Sequence, residues 1–167
     1  MVSFDEQAIL DKGAYIYNQR AEIERIADEI CEKGFDSIFF TSSGGSLAMM
    51  QPFDYMVSVM SDIPVQSQIS ADFLTVGNQR IGKGTLAFMA SKSGDTKETV
   101  AAAKAAKDAG CTIVSTLGVD GSPLGELSDY GVVYKQGRPM ELVLYLLIGK
   151  ILKNRGFFDD YDRFADE

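Results

Sequence analysis

Two short segments concentrate the side chains able to do chemistry. Thr41-Ser42-Ser43-Gly44-Gly45-Ser46 and Ser91-Lys92-Ser93-Gly94-Asp95-Thr96 are each dense in hydroxyls, and each contains glycine. Glycine lets a backbone approach a ligand and turn its N–H groups toward it. Hydroxyls add neutral donors. A segment that opens a helix also offers free N–H groups and the positive end of the helix dipole. Together these are the parts of a phosphate cradle, so the candidate binding residues are Ser43, Gly44, Gly45, Ser46, Ser91, Lys92, Ser93 and Thr96. Either segment alone also reads as an ordinary turn and cap. Asp95 and Glu98 stand at a capping-box spacing, with Asp95 or Thr96 as the N-cap. Two hydroxyl-rich loops at corresponding places favour the anion site. Lys92 either neutralises a phosphate or sits in solvent. Glu141 follows Pro139 into the first turn of a helix. There it is either a carboxylate favoured by the helix dipole or a buried acid or base near the same crevice.

A third glycine-rich stretch is a decoy. Gly77-Asn78-Gln79-Arg80-Ile81-Gly82-Lys83 fits the first seven positions of a nucleotide-binding P-loop, but Gly84 stands where Ser or Thr is required. A strand follows it and no helix does, which reverses the required context. Arg80 and Lys83 read as solvated loop charges.

The candidate loops need elements to hold them. Residues 5–33 read as one long helix, with Ile16, Ile23, Ile26, Ala27 and Ile30 at helical spacing and Gly34 as its stop. Apolar runs at 37–41, 65–69, 85–90, 111–117 and 130–135 read as five strands. Helical stretches at 46–61, 71–76, 96–109, 122–127 and 139–154 lie between and after them. Pro52 is expected to interrupt the first of these early or to sit in its first turn, and Pro123 opens a short one. The last is apolar nearly all round, so it is central to the core or part of a subunit interface. Strands that alternate with helices and are apolar along their length imply a parallel sheet covered on both faces. The fold class is therefore α/β, a three-layer α-β-α doubly wound fold with a five-stranded parallel sheet, of flavodoxin-like type. Ligands in such sheets bind outside the C-terminal ends of the strands. If the first and third strands are neighbours, the two loops face one crevice.

Composition removes other chemistries. The chain has 167 residues, the length of one domain, with 16 Lys+Arg against 24 Asp+Glu and a net charge of −8. That balance argues against a nucleic-acid surface. The absence of His excludes a Ser-His-Asp triad, a His metal site and imidazole acid–base chemistry. Cys31 and Cys111 are too far apart in sequence for a zinc pair and fit neither a disulfide framework, so both read as small core residues in a reducing cytoplasm. The first residues lack the basic and apolar regions of a signal peptide, and the apolar run at 142–148 is too short to span a bilayer. Neither a metal nor a cofactor is expected, and no nucleic acid or membrane is expected as a partner.

At this point a family resemblance enters. Ser91-Lys92-Ser93-Gly94-Asp95-Thr96-Lys97-Glu98-Thr99 resembles the Ser-x-Ser-Gly-x-Thr-x-Glu-Thr signature of sugar isomerase (SIS) domains, and Thr41 to Ser46 resembles their first phosphate loop. The resemblance covers about the whole chain, 1–167, as a single SIS domain with an N-terminal helix within 1–34 and the start of a further helix at 157–167. It implies a phosphosugar whose phosphate is held by Ser43, Ser46, Ser91, Ser93 and Thr96, completed by the Gly44 and Gly45 backbone and Lys92. The Gly-Gly-Ser loop, the Asp120-Gly121-Ser122-Pro123-Leu124 turn and the tail Phe158-Asp159-Asp160-Tyr161-Asp162-Arg163-Phe164 look like the first half of fructosamine-6-phosphate deglycases. Those enzymes, like the isomerase half of glucosamine-6-phosphate synthase, carry tandem SIS domains with a catalytic Glu and His in the second.

The sequence departs from that pattern in having no His. One reading is an SIS half that binds a phosphorylated sugar or sugar–amine adduct and pairs with a second SIS domain. Another is a homodimer joined through its apolar last helix, with Glu98 and Glu141 as acid and base, since enediol-type proton transfer needs only a suitable carboxylate. The alternative from a different class is a non-catalytic sugar-phosphate sensor or regulatory domain. The acidic tail from Asp159 to Glu167 is expected to be the solvated start of a helix.

Overall fold

The computed structural model describes residues 5–135, 137 and 139–167. Residues 1–4, on which part of the leader expectation rests, and Arg138 lie outside the described residues.

Five parallel strands form one sheet in the order β2-β1-β3-β4-β5: β1 Ser37–Ser42, β2 Val65–Ile69, β3 Thr85–Ser91, β4 Thr112–Leu117 and β5 Tyr130–Val133. β3 is buried along its whole length and β4 at every residue after Thr112, as a sheet covered on both faces requires. Side chains alternate between the faces. Ile38, Phe40, Leu86, Phe88 and Val114 point to one side, where α2 (Arg20–Lys33), α3 (Gly44–Met60) and α7 (Met140–Asn154) pack. Phe39, Ala87, Met89 and Ile113 point to the other, toward α4 (Ser70–Val76), α5 (Lys97–Asp108) and α6 (Pro123–Leu127). α5 buries Thr99, Ala102, Ala103 and Ala106, small side chains that let it lie close on the sheet. The three-layer parallel architecture read from the sequence is the observed one.

Three local expectations are corrected. The N-terminal helix is two, α1 Glu6–Tyr17 and α2, separated at Asn18 and Gln19. Asn18 stays near helical dihedrals and Gln19 N–H bonds Ile16 O at 2.9 Å, so a tightened turn breaks the helix without shifting its apolar phase. Pro52 lies inside α3, which runs straight through it. Both Pro52 and Ala48 are on the exposed side, so water can take the carbonyl that loses its partner. The acidic tail is not wholly solvated. It forms α8 (Tyr161–Asp166), with Tyr161 fully buried and Ala165 buried one turn later. The Tyr161 hydroxyl donates to Glu24 Oε1 at 3.0 Å and lies 3.1 Å from Leu146 O, while Arg20 donates to the Ala165 carbonyl at 3.2 Å. Cys111 is buried, whereas Cys31 is only half-buried.

α7 is central to the core: Val143, Leu144, Leu147, Ile148, Ile151 and Leu152 are inaccessible. Its Leu142 and Tyr145 face outward, into a groove against α1 and α8. No helix among the described residues is long and apolar enough to cross a membrane.

Candidate functional site

The adjacency of β1 and β3 brings the two hydroxyl-rich loops together at the C-terminal edge of the sheet. The Ser42 hydroxyl donates to the Ala90 carbonyl and fixes the end of one strand to the other. The Thr41 hydroxyl shares a hydrogen bond of 3.3 Å with Ser70. Beyond these anchors the chain enters α3. Ser43 is its N-cap in an extended conformation, and its side chain makes no capping bond. Gly44 and Gly45 form the first turn with Ser46, so their N–H groups have no partner within the helix. A Cβ at either glycine would meet nothing within 4 Å, which leaves open space over these amides. Gly44 has φ +53, a left-handed value that glycine adopts without cost.

The second loop is held by its own side chains. The buried Ser91 hydroxyl accepts the Gly94 N–H at 2.9 Å and shares a 3.1 Å hydrogen bond with Thr96. The Ser91 hydroxyl therefore shapes the turn. Gly94 has φ +75, and its carbonyl accepts the Leu124 N–H at 2.9 Å. A Cβ there would fall well under 3.0 Å from the Ser122 side chain, so only glycine fits beside α6. Lys92 and Ser93 are left exposed, and Thr96 is the half-buried N-cap of α5. Neither Asp95 nor Thr96 makes a side-chain capping bond to α5.

A cleft of about 400 Å³ opens where the loops meet. It is lined by Ser43, Gly45, Ser46 and Lys92 together with Met49, Tyr134, Gly137 and Met140. Four of the eight predicted binding residues thus line one cavity. Burial, and then the charge of Glu141, push the Tyr134 hydroxyl above its ordinary pKa. Glu141 is half-buried in the first turn of α7, beside Met140, and Glu98 is exposed in the first turn of α5; neither lines the cleft. Among the described residues, no group of three or more His, Cys, Asp or Glu could hold a metal. A larger groove of about 630 Å³ lies between α1, α7 and α8, lined by Ile9, Leu10, Tyr17, Leu142, Tyr145 and Phe164 among others. Its lining is mostly apolar, and among the described residues it holds no Lys, no Arg and neither of the two hydroxyl-rich loops.

The pattern of an SIS domain matches residues 33–146, more than half of the chain and both loops. The chain belongs to the SIS domain family. Fructosamine deglycase FrlB of Bacillus subtilis (strain 168) is 30% identical to this SIS domain over 117 residues, 70% of this chain and 36% of the deglycase. Glutamine–fructose-6-phosphate aminotransferase (isomerizing) of Thermotoga maritima is 33% identical over 138 residues, 76% of this chain and 23% of that protein. The SIS domain described here thus spans about a third of the one relative's length and less than a quarter of the other's. In structure it is similar to the Vibrio vulnificus NanR protein complexed with ManNAc-6P, with a TM-score of 0.74 at 20% identity, over 96% of this chain and 66% of that one.

Sequence reasoning did not assign Tyr134, Met49 and Met140 to the site. Met49 stands one turn beyond Ser46 in α3, while Tyr134 and Met140 come from beyond β5, and no local motif marks any of them. Thr99 was visible inside the signature without a role, and its hydroxyl donates to Ser43 Oγ at 3.2 Å.

Proposed function

We propose that this SIS domain binds a phosphorylated sugar, with the phosphate at the N-terminus of α3. The observation that carries this reading is the cleft itself, in which Ser43, Gly45, Ser46 and Lys92 converge from two loops on adjacent strands. The chain as a whole carries −8, so long-range electrostatics repel a phosphate dianion. Short-range donors must hold it: the free amides of the first turn, the hydroxyls and the Lys92 ammonium. Ser91, Ser93 and Thr96 complete the binding set, Ser91 by fixing the turn.

The same reading makes the domain part of an isomerase or fructosamine-6-phosphate deglycase type protein, as one half of a two-SIS enzyme or as a homodimer. The likeness to the deglycase and the aminotransferase supports it. Glu141, beside the cleft at Met140, is the better placed of the two carboxylates for proton transfer, and Glu98 the worse. A sensor role without turnover is the second reading. It is supported by the absence of His and by the similarity in fold to NanR, which is complexed with ManNAc-6P.

A thermal-shift titration with glucose 6-phosphate, fructose 6-phosphate, the unphosphorylated sugars and inorganic phosphate tests the binding reading. A ligand at one hundred times its Kd stabilises the fold by about 2.7 kcal/mol. A shift with a phosphosugar and none with its parent sugar is the expected outcome. Equal responses to glucose and glucose 6-phosphate, or no response to any of them, would refute the cradle.

A further inference from the structure

We infer that Thr99 is a positioning residue that orients the Ser43 hydroxyl as a donor into the phosphate cleft, an inference that rests on the binding reading above. Thr99 lies in α5, and its side chain is fully buried, with 0% exposure. Its hydroxyl does not serve α5. It donates across the sheet edge to Ser43 Oγ, 3.2 Å away on the N-cap of α3. A serine hydroxyl has one proton and two lone pairs. With one lone pair filled by Thr99, the Ser43 proton is turned away from α5.

Where that proton goes follows from two further observations. Among the described residues the Ser43 O–H donates to no acceptor, and its oxygen accepts no amide of its own helix, unlike the usual N-cap serine. It lines the cleft beside Gly45, Ser46 and Lys92. The direction left to its O–H is therefore the direction of the anion. A hydroxyl that must donate suits a phosphate oxygen, which only accepts. Without Thr99 the hydroxyl is free to rotate, and its proton is no longer aimed at the ligand. The contact has a second effect. It joins the first loop to the helix that follows the second, so both halves of the cradle are held in one register.

The test uses the full chain and four variants, with affinity for glucose 6-phosphate and fructose 6-phosphate read by calorimetry. Thr99→Val keeps the shape and removes the hydroxyl. It is expected to weaken phosphosugar binding by about 3- to 10-fold, the worth of one hydrogen bond between neutral groups. Thr99→Ser restores the hydroxyl and is expected to bind within about twofold of wild type, on the same bond energies. Ser43→Ala is expected to weaken binding at least as much as Thr99→Val, and Ser43→Ala with Thr99→Val no more than Ser43→Ala alone. A purely structural Thr99 would instead give additive losses, and Thr99→Ser would not rescue. If Thr99→Val does not fold, the comparison of Thr99→Ser with Thr99→Ala decides in the same way: equal affinities overturn the inference. If wild type binds and Thr99→Val binds equally well, the inference fails and the phosphate reading stands. If wild type binds neither phosphosugar, both fall together.

Discussion

Replacing Gly94 with alanine tests how the second loop is built. Two separate costs are visible. The backbone sits at φ +75, where an L-residue is disfavoured by about 1–2 kcal/mol. The added Cβ would also fall well under 3.0 Å from the Ser122 side chain. Ser122 cannot simply move away. It precedes α6, and Leu124 two residues later donates its N–H to Gly94 O at 2.9 Å, so a shift would open that bond. Overpacking of this kind costs about 1–3 kcal/mol more. Gly94→Ala should therefore lose about 2–5 kcal/mol in all, the two costs combined. Gly44→Ala is the control. Its φ of +53 carries the backbone cost, yet nothing lies within 4 Å of the new Cβ, so it should lose only about 1–2 kcal/mol. Adding Ser122→Gly to Gly94→Ala should recover the steric share and leave the backbone share. Ser122 Oγ has no hydrogen-bond partner among the described residues, so little else is lost with it. Urea unfolding followed by circular dichroism reads all four proteins, and the chain has no Trp to confuse the choice of probe. Equal stabilities for Gly94→Ala and Gly44→Ala would refute the packing argument. No recovery with Ser122→Gly would show that the clash is not with that side chain.

Two further predictions concern the core. Burial pushes the Cys111 thiol up from 9.0 to about 11. The unfolded chain releases this proton at lower pH than the folded one, so the contribution to stability is whole below pH 9 and is lost as the pH rises through about 11. The loss should reach about 2–3 kcal/mol; urea midpoints measured from pH 8 to 11 should fall less steeply for Cys111→Ala, and parallel curves would refute the assignment. In α7, a Cβ on Gly149 would stand 3.0 Å from the Tyr161 ring. Gly149→Ala should cost about 1–3 kcal/mol and expose α8 to limited proteolysis before the rest of the chain. Digestion of α8 at the wild-type rate would show that Tyr161 accommodates the methyl group.

What was legible in the sequence was what is encoded locally. The strand runs and the Ala-rich face of α5 set the layers, because period and apolar content report burial over a few residues. The two loops were legible because Gly and Ser density recurs after two strands at corresponding places, which either loop alone would not have distinguished from a turn and cap. The break between α1 and α2 was not, since Asn18 and Gln19 interrupt the hydrogen bonds and leave Ile16 and Ile23 both buried in the pattern of one helix. The tail misled for a related reason. Its charges are real and exposed, but Tyr161 and Ala165, four apart, face α7 and bury the element. In the site, the approach of Tyr134 and Met140 to Ser43 and Ser46 and the reach of Thr99 to Ser43 join residues far apart in the chain. Contacts of that kind are set by topology, and a window of sequence does not contain them.

The packing of α2 against α7 has a consequence for how the chain acquires its structure. Ile23, Ile26 and Ile30 belong to the N-terminal part of the sequence, and the helix that covers them begins only at Met140. The two central strands likewise meet across a long interval, with Ile38 opposite Leu86. On a ribosome, the first helices would emerge well before anything that can shelter them, and their isoleucines would stay wet until most of the chain was out. Such long-range closure slows folding and favours a single cooperative step over gradual assembly. The interval in which those residues are bare is when a nascent chain of this topology most needs shelter from its neighbours.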